Sequence, residues 1–254
     1  MKKIILPSVI GLVFLLVLIV FGKTAKERSY TAIPKSDKPA FAITGHLNAE
    51  KSKLSATQAL AISKLENSIS RGDVIAQQMK VYYQLADFWK DSAKSFPGYA
   101  YYTAEASKLV NSEKTLTFAA RLFLGRLKHE SDESLKIWES ESAVDLFEKA
   151  LQLNPNNDSL KVDLGSCYVY GKGMIGDAAE TMKGIQKLLE VVRKDSSNME
   201  AQMVLGVGGV ISRQFDKGLE RLNKVVKAEP GNLEAVSWLA DGYAAKGDNV
   251  NAVK

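Results

Sequence analysis

The sequence is poor in the residues that build redox centres and structural metal sites. Its 254 residues include one cysteine, Cys167, and two histidines, His46 and His129. A single cysteine excludes an intramolecular disulfide, and these three residues do not make up the ligand set of a structural zinc site. We therefore expect no metal and no cofactor. The compartment is not fixed by this shortage, because a long helical array needs no disulfides.

Beyond its first 53 residues the chain also lacks an excess of either charge. The formal net charge is +5, but residues 1–53 carry nine Lys or Arg against three Asp or Glu, so the remainder is close to neutral. It has no basic stripe with interleaved aromatic residues, and nucleic acid is therefore not an expected partner. A basic tail beside a hydrophobic segment suits anionic lipid headgroups instead.

One long uncharged run stands at the amino terminus. It extends from Ile4 to Gly22, about 28 Å as a helix, close to the roughly 30 Å of a bilayer core. A cleaved signal peptide is the alternative, but its apolar region is usually shorter and ends in a small-residue cleavage site, whereas this run leads directly into Lys23. We predict that residues 1–22 are a transmembrane anchor, with residues 4–22 crossing the membrane.

The orientation of this anchor is not decided by the flanking charges. Lys2 and Lys3 stand on one side, and Lys23, Lys26 and Arg28 on the other. A short amino-terminal tail ahead of a signal-like segment usually stays in the cytoplasm. We expect a single-pass protein of the bacterial inner membrane whose domain faces the periplasm.

Residues 23–53 have no sustained apolar period. They contain Pro34 and Pro39 with Ser and Lys residues, a composition typical of linkers. We predict a linker that holds the domain off the bilayer.

From residue 54 onward, apolar residues recur at intervals of three and four, as in Val81, Leu85, Phe88 and Trp89. This period predicts a succession of helices. Between them lie breaks rich in residues that cap or end helices. The breaks are Arg71–Asp73, Phe96–Gly98, Asn154–Asn157, Asp195–Asn198, Glu229–Asn232 and Lys246–Asp248.

Three segments of the helical region align without gaps. Gly184–Asn198 matches Gly218–Asn232, and Ala143–Asn157 has the same frame. A further helix with its own shared pattern follows each of them. Met199 to Asn232 is 34 residues, a period typical of arrays in which each unit buries its apolar face only against its neighbours.

This repeat resembles the tetratricopeptide repeat (TPR) family, whose unit is a 34-residue helix-turn-helix with Leu-Gly, Tyr three positions on, a small residue opening the second helix and Pro near the end. The matching residues are Leu164, Gly165, Tyr168, Gly184, Leu188 and Val191 in a unit from Asp158; Leu205, Gly206, Gly218, Leu222, Val225 and Pro230 in a unit from Met199; Leu239, Tyr243, Gly247 and Ala252 in a unit from Leu233; and Ala143, Phe147, Ala150 and Pro155 in a preceding half-unit. The resemblance implies an all-α solenoid of stacked antiparallel helix hairpins. We assign TPR repeats to residues 142–254, the last incomplete, and divergent helical hairpins to residues 54–141.

Some features depart from the family pattern. The unit from Asp158 is seven residues too long, which predicts an insertion at Tyr170–Asp177, and Gly209 replaces the usual aromatic residue. Because Lys254 follows so soon after Ala252, we expect either a fragment or a second chain covering this end. An aromatic group is expected to pack the N-terminal end of the array, with ligand stacking as the alternative. It comprises Tyr82, Tyr83, Trp89, Tyr99, Tyr101 and Tyr102.

The remaining motifs favour structural interpretations. Gly171–Gly176 fits G-x-G-x-x-G, but a helix rather than a strand precedes it, so we expect a flexible insertion. An acidic group (Glu130, Asp132, Glu133, Glu139 and Glu141) could hold a metal or an acid/base pair; we expect a helix start at Asp132 and Glu133 and a solvated face elsewhere. Cys167 is expected to be a small core side chain. We predict that the protein is not an enzyme.

The resemblance also implies a concave surface lined by the second, fifth, ninth and twelfth positions of each first helix. These positions are Ser159, Val162, Ser166, Val169, Glu200, Met203, Val207, Val210, Glu234, Ser237, Asp241 and Ala244. We predict a protein-binding groove formed by Val162, Ser166, Val169, Met203, Val207, Val210, Ser237 and Asp241. It lacks the Lys and Asn that clamp a terminal carboxylate in chaperone-binding members, so an apolar helix or extended peptide is the expected ligand. The alternative is that Val162, Val207 and Val210 pack internally.

The sequence thus predicts a membrane-anchored, non-catalytic scaffold or adaptor that binds another protein or peptide. A second hypothesis is an accessory subunit of an envelope biogenesis or cytochrome-maturation machine, which presents a client to an enzyme. Neither the client nor the oligomeric state follows from the sequence.

Overall fold

The computed structural model describes residues 40–69 and 74–253, and the regular structure within these ranges is helical, as predicted, with no strand. The helices are α1 (Ile43–Lys51), α2 (Ala56–Ile69), α3 (Ile75–Asp87), α4 (Phe96–Val110), α5 (Glu113–Leu127), α6 (Glu133–Leu153), α7 (Asp158–Cys167), α8 (Ala178–Lys194), α9 (Met199–Ile211), α10 (Phe215–Ala228), α11 (Leu233–Lys246) and α12 (Asn249–Ala252). A first π turn (Phe88–Ser92) follows α3. A second π turn (Tyr168–Lys172) follows α7 and leads into a 3-10 turn (Gly173–Ile175).

Recurring asparagines begin the first helices of the repeats. Asn157, Asn198 and Asn232 cap α7, α9 and α11, and each side-chain oxygen accepts a hydrogen bond from the backbone amide three residues on, at 3.2, 2.9 and 3.0 Å. Asp132 and Asp177 cap α6 and α8 in the same way. Such a bond satisfies an amide that has no partner within the helix. The asparagines that recur in the sequence therefore mark the start of the first helix in successive repeats.

The helices stack as consecutive hairpins: α3 with α4, α5 with α6, α7 with α8, α9 with α10, and α11 with α12. The second helix of each hairpin packs against the first helix of the next, and the first helices α5, α7, α9 and α11 contact one another in order. This pattern of neighbour contacts defines an α-solenoid and confirms that prediction. The boundary assigned at residue 142 falls inside α6.

Small residues allow the two helices of a hairpin to approach closely. A Cβ added to Gly206 would lie 2.7 Å from Leu222 Cγ, and one added to Gly209 would lie 2.7 Å from the Cα of Gly218. These distances are below van der Waals contact, so a larger side chain would separate α9 from α10.

Most of the predicted insertion at Tyr170–Asp177, in the third hairpin, is helical. It continues α7 through the second π turn and the 3-10 turn, and Gly176, with φ of +85°, ends the helical path before α8. Val169, Tyr170 and Gly171 are buried, and a Cβ on Gly171 would lie only 2.2 Å from Ser140 Oγ. The prediction of a flexible insertion is wrong, because these residues are packed against α6.

The N-terminal part of the described chain has its own apolar cluster. Trp89 is fully buried and Tyr102 nearly so, and Tyr82, Tyr99 and Tyr101 pack against the same cluster. This confirms that most of the aromatic group has a packing role. Residues of α1 and α2 join it, although α1 falls within the segment predicted as a linker.

The predicted anchor, residues 1–22, and residues 23–39 of the predicted linker lie outside the described residues. Among residues 40–69 and 74–253, no helix is long and apolar enough to cross a bilayer.

Candidate protein-binding groove

The first helices α7 and α9 are buried on almost every side. Residues 160–171 and 201–208 are all buried. Of the eight residues predicted to line the groove, two are accessible, since Ser237 is exposed and Asp241 is half-buried. The other six are at most 6% exposed, namely Val162, Ser166, Val169, Met203, Val207 and Val210. They do not line an open groove in this structure, which corrects the simplest form of the prediction.

Contacts between successive first helices account for part of this burial. A Cβ on Gly208 of α9 would lie 3.6 Å from Val169 Cγ2, and a Cβ on Gly242 of α11 would lie 3.0 Å from Val210 Cγ2. The two valines therefore fill the space between one first helix and the next. Ser166 donates its hydroxyl hydrogen to the Val162 carbonyl at 2.8 Å, so its polar group is satisfied within α7. The burial of Val162, Val207 and Val210 agrees with the alternative that these valines pack internally.

A three-residue contact joins helices that are distant in the stack. Lys128 Nζ lies 2.7 Å from Glu234 Oε2 and 4.6 Å from the centre of the Tyr170 ring, and the Tyr170 hydroxyl donates to Glu234 Oε1 at 3.0 Å. We call this contact the clasp. Lys128 directly follows the last residue of α5, Tyr170 lies in the second π turn and Glu234 is in the first turn of α11.

No local sequence pattern predicts the clasp. Only Glu234 was assigned to the concave surface by its repeat position. Lys128 lies 106 positions from it in sequence and Tyr170 lies 64 positions away. Contacts at such separations depend on the curvature of the whole stack, and no periodicity within one helix specifies that curvature.

A buried charged group lies between α5 and α6. Glu139 is fully buried, and its Oε1 is 3.1 Å from Arg126 Nε, while Arg126 also pairs with Glu130 at 2.5 Å. Burial raises the pKa of the Glu139 carboxyl group to about 7, although Arg126 acts in the opposite direction. The predicted solvated face is therefore wrong for Glu139, because this position of α6 faces α5. Asp132 begins α6 as expected.

The buried groups are poorly placed for chemistry. Glu139 has no exposed surface through which a substrate could reach it. Cys167 is buried in the core, as predicted, and burial raises the pKa of its thiol well above the ordinary value, which keeps it protonated. In the described ranges no group of three or more His, Cys, Asp or Glu residues could hold a metal ion. The G-x-G-x-x-G run lies in the π and 3-10 turns after a helix, which is not the strand-to-helix context of a dinucleotide site.

No protein-family model and no curated protein matches this sequence. Among solved structures, the chain is similar to a fragment of MamA from Desulfovibrio magneticus RS-1, at 19% identity over 72% of this chain and 90% of that one, with a TM-score of 0.49. It is also similar to YrrB, described as a TPR protein with an unusual peptide-binding site, at 17% identity over 74% and 87% of the two chains, with a TM-score of 0.44. A tetratricopeptide repeat protein from Parabacteroides merdae matches at 14% identity over 78% and 77%, with a TM-score of 0.40. At these scores the assignment of a helix-hairpin solenoid rests on the helix contacts of the chain itself.

Proposed function

We propose that the protein is a non-catalytic scaffold that binds another protein or peptide along the concave face of its solenoid. The observation that carries the proposal is the continuous inner layer formed by the first helices α5, α7, α9 and α11. Although most of its inner positions are buried in this structure, such a layer repeats them in a fixed register, which suits an elongated partner once they become accessible. The burial of Glu139 and Cys167 agrees with a role that needs no reactive group.

The chemistry of this face favours an apolar helix or an extended peptide as the ligand. Val162, Val169, Val207 and Val210 are apolar, and Met203 has a flexible thioether side chain that adapts to different shapes. Because these residues are at most 6% exposed, a partner would contact them only if the first helices moved apart.

The binding proposal is tested by quantitative pull-down of the full chain from detergent-solubilised membranes, followed by mass spectrometry. Asp241→Lys changes a half-buried concave position, whereas Glu220→Lys makes the same charge change at an exposed position of α10. We expect the same partner to be recovered with the wild type and with Glu220→Lys, and to be lost with Asp241→Lys. Equal recovery with both variants, or no stable partner with any of them, would contradict the proposal.

We further propose that residues 4–22 anchor the chain in the bacterial inner membrane, with the solenoid in the periplasm. The uncharged run and its length support this proposal. Anchoring would raise the effective concentration of the solenoid near other membrane proteins. The alternative role in envelope biogenesis or cytochrome maturation uses the same binding activity, and would be recognised by co-purification of an enzyme that acts on the client.

Protease treatment of spheroplasts tests the orientation. With a tag after Lys254, we expect external protease to remove the tag from intact spheroplasts, and the full chain to stay with the membranes after alkaline extraction. A variant without residues 1–22 serves as the control and should be released by that extraction. A tag that is digested only after lysis would place the solenoid on the cytoplasmic side and overturn the proposed orientation.

A further inference from the structure

We propose that the clasp formed by Lys128, Tyr170 and Glu234 holds the concave face closed, and that its release is the step that makes the buried groove residues accessible. This inference rests on the proposed binding function, but it makes a separate claim about conformation that is tested without any partner.

The clasp lies outside the regular stacking pattern. Regular contacts join each first helix to the next, whereas the clasp joins α5 and the end of α7 to α11, past α9. The second π turn and the 3-10 turn, which bring Tyr170 to this place, themselves pack against α9. The clasp therefore links α11 to α5 and to the end of α7. The regular stacking contacts do not join these elements, so without the clasp the distances between them would depend on the curvature added by each hairpin.

The contacts of the clasp can break and form again at low cost in free energy. The side chains of Lys128 and Glu234 are 36% and 39% exposed, so water reaches both charges. An ion pair of this exposure is weak and is screened by salt. Breaking it leaves no unpaired charge in the core, in contrast to breaking the pair between Glu139 and Arg126.

Each charged residue also has a favourable position of its own. Glu234 lies in the first turn of α11, where the helix dipole favours a carboxylate, and Lys128 follows the last residue of α5, where it favours a cation. Both charges therefore remain compatible with their helices when the clasp opens. Opening separates elements without unfolding them.

The residues that opening would uncover are the apolar ones predicted to bind a partner. Val169 packs against α9 beside Gly208, and Val210 of α9 packs against α11 beside Gly242; both valines are fully buried. If the first helices move apart at the clasp, these two side chains lose those neighbours. A partner that binds them would thereby stabilise the open form.

The experiment measures the width of the concave face directly in the full chain. Spin labels are attached at Ser131→Cys, beside the end of α5, and at Ser237→Cys, on α11; both positions are exposed, whereas Cys167 is buried. Double electron–electron resonance in detergent gives the distance between the labels. The clasp variants are Lys128→Glu, Glu234→Lys and the double exchange of the two.

We expect each single reversal to shift the label distance to larger values by several ångströms. The double exchange should return the distance part of the way to the wild-type value, because it restores the ion pair but not the contact of the cation with the Tyr170 ring. Tyr170→Phe, which keeps the ring but removes the hydroxyl, should give a smaller shift. The matched control is Lys183→Glu, which reverses one charge of an exposed pair with Glu180 within α8 and should leave the distance unchanged.

Two results would overturn the proposed role of the clasp: single reversals that keep the wild-type distance, or a double exchange whose distance is no closer to the wild-type value than those of the single reversals. Circular dichroism identifies any reversal that does not fold, and Tyr170→Phe then provides the test because it changes one hydroxyl group. No partner is present in these measurements, so failure to find a partner for the proposed scaffold leaves their result unaffected.

Discussion

At the scale of single residues, Glu139 links the charge state of the protein to its stability. Burial raises the pKa of its carboxyl group from 4.5 to about 7 in the folded state. The folded chain therefore binds this proton more tightly than the unfolded chain does. The stability that Glu139 contributes is fully present below about pH 4.5 and is lost as the pH rises through 7.

Replacing Glu139 by Gln removes this titration. We expect Glu139→Gln to be more stable than the wild type at pH 8 by up to about 3 kcal/mol, at about 1.4 kcal/mol per pKa unit. The advantage should shrink toward zero near pH 4. Urea unfolding across this pH range measures it, with Glu141→Gln, on the exposed side of α6, as the control. An advantage of Glu139→Gln that does not grow with pH would contradict the pKa shift.

Two glycines in helices separate the effect of packing from the effect of helix propensity. Gly209→Ala places a Cβ 2.7 Å from the Cα of Gly218, and we expect it to destabilise the protein by about 1–3 kcal/mol, as other overpacking substitutions do. Gly125→Ala meets no atom within 4 Å and should stabilise by about 0.5–1 kcal/mol. Thermal or chemical unfolding compares the two. Equal effects would mean that the contact between α9 and α10 is looser than described.

At the scale of the helices, caps are what the sequence predicts best. The asparagines before α7, α9 and α11 are visible in the sequence because a cap acts within three residues of itself. The burial of Glu139 was missed for the opposite reason. The acidic residues around it are exposed or partly exposed, and only the packing of α6 against α5 distinguishes them from it.

The cap of α9 can be tested against a neighbouring helix start. Asn198→Ala removes the 2.9 Å bond to the Ala201 amide, and we expect a loss of about 1 kcal/mol in the free energy of unfolding. Gln214 occupies the same position before α10 without a side-chain cap bond, so Gln214→Ala should have little effect. Denaturant titrations of both variants decide the matter, and losses of similar size would argue against the capping bond.

At the scale of the whole molecule, burial is distributed unevenly along the stack. Residues 201–208 of α9 are all buried, whereas α11 buries Ala235, Trp238 and Gly242, and α12 buries none of its residues. Because solenoid hairpins are stabilised by their neighbours, the helices with least buried surface open most easily. We expect amide hydrogen exchange, measured by mass spectrometry, to be slowest in α9 and fastest in α12. Uniform protection along the chain would indicate a single cooperative unit instead.

The stack of helix hairpins could be predicted from the sequence, but the burial of the predicted groove residues could not. Repeat period and cap spacing are local properties that Met199–Asn232 displays in full. Curvature arises from small rotations summed over several hairpins, and it brought Tyr170 to Glu234 across 64 positions. No single repeat contains that information. The groove residues were therefore inferred from their positions within each repeat. Their accessibility, in contrast, depends on how all the hairpins pack together.

The second π turn has a consequence for how this chain can vary. A π turn accommodates one more residue per turn than the α-helical hydrogen-bond pattern does, and each residue of an α-helix turns the chain by about 100°. Loss of one codon within Tyr168–Lys172 would thus redirect Tyr170, while the asparagine caps and the contacts of Gly206 and Gly209 between α9 and α10 stay in place. Single-residue insertions and deletions at this point would change which distant hairpin Tyr170 contacts, with the direct packing change confined to the third hairpin and the helices beside it.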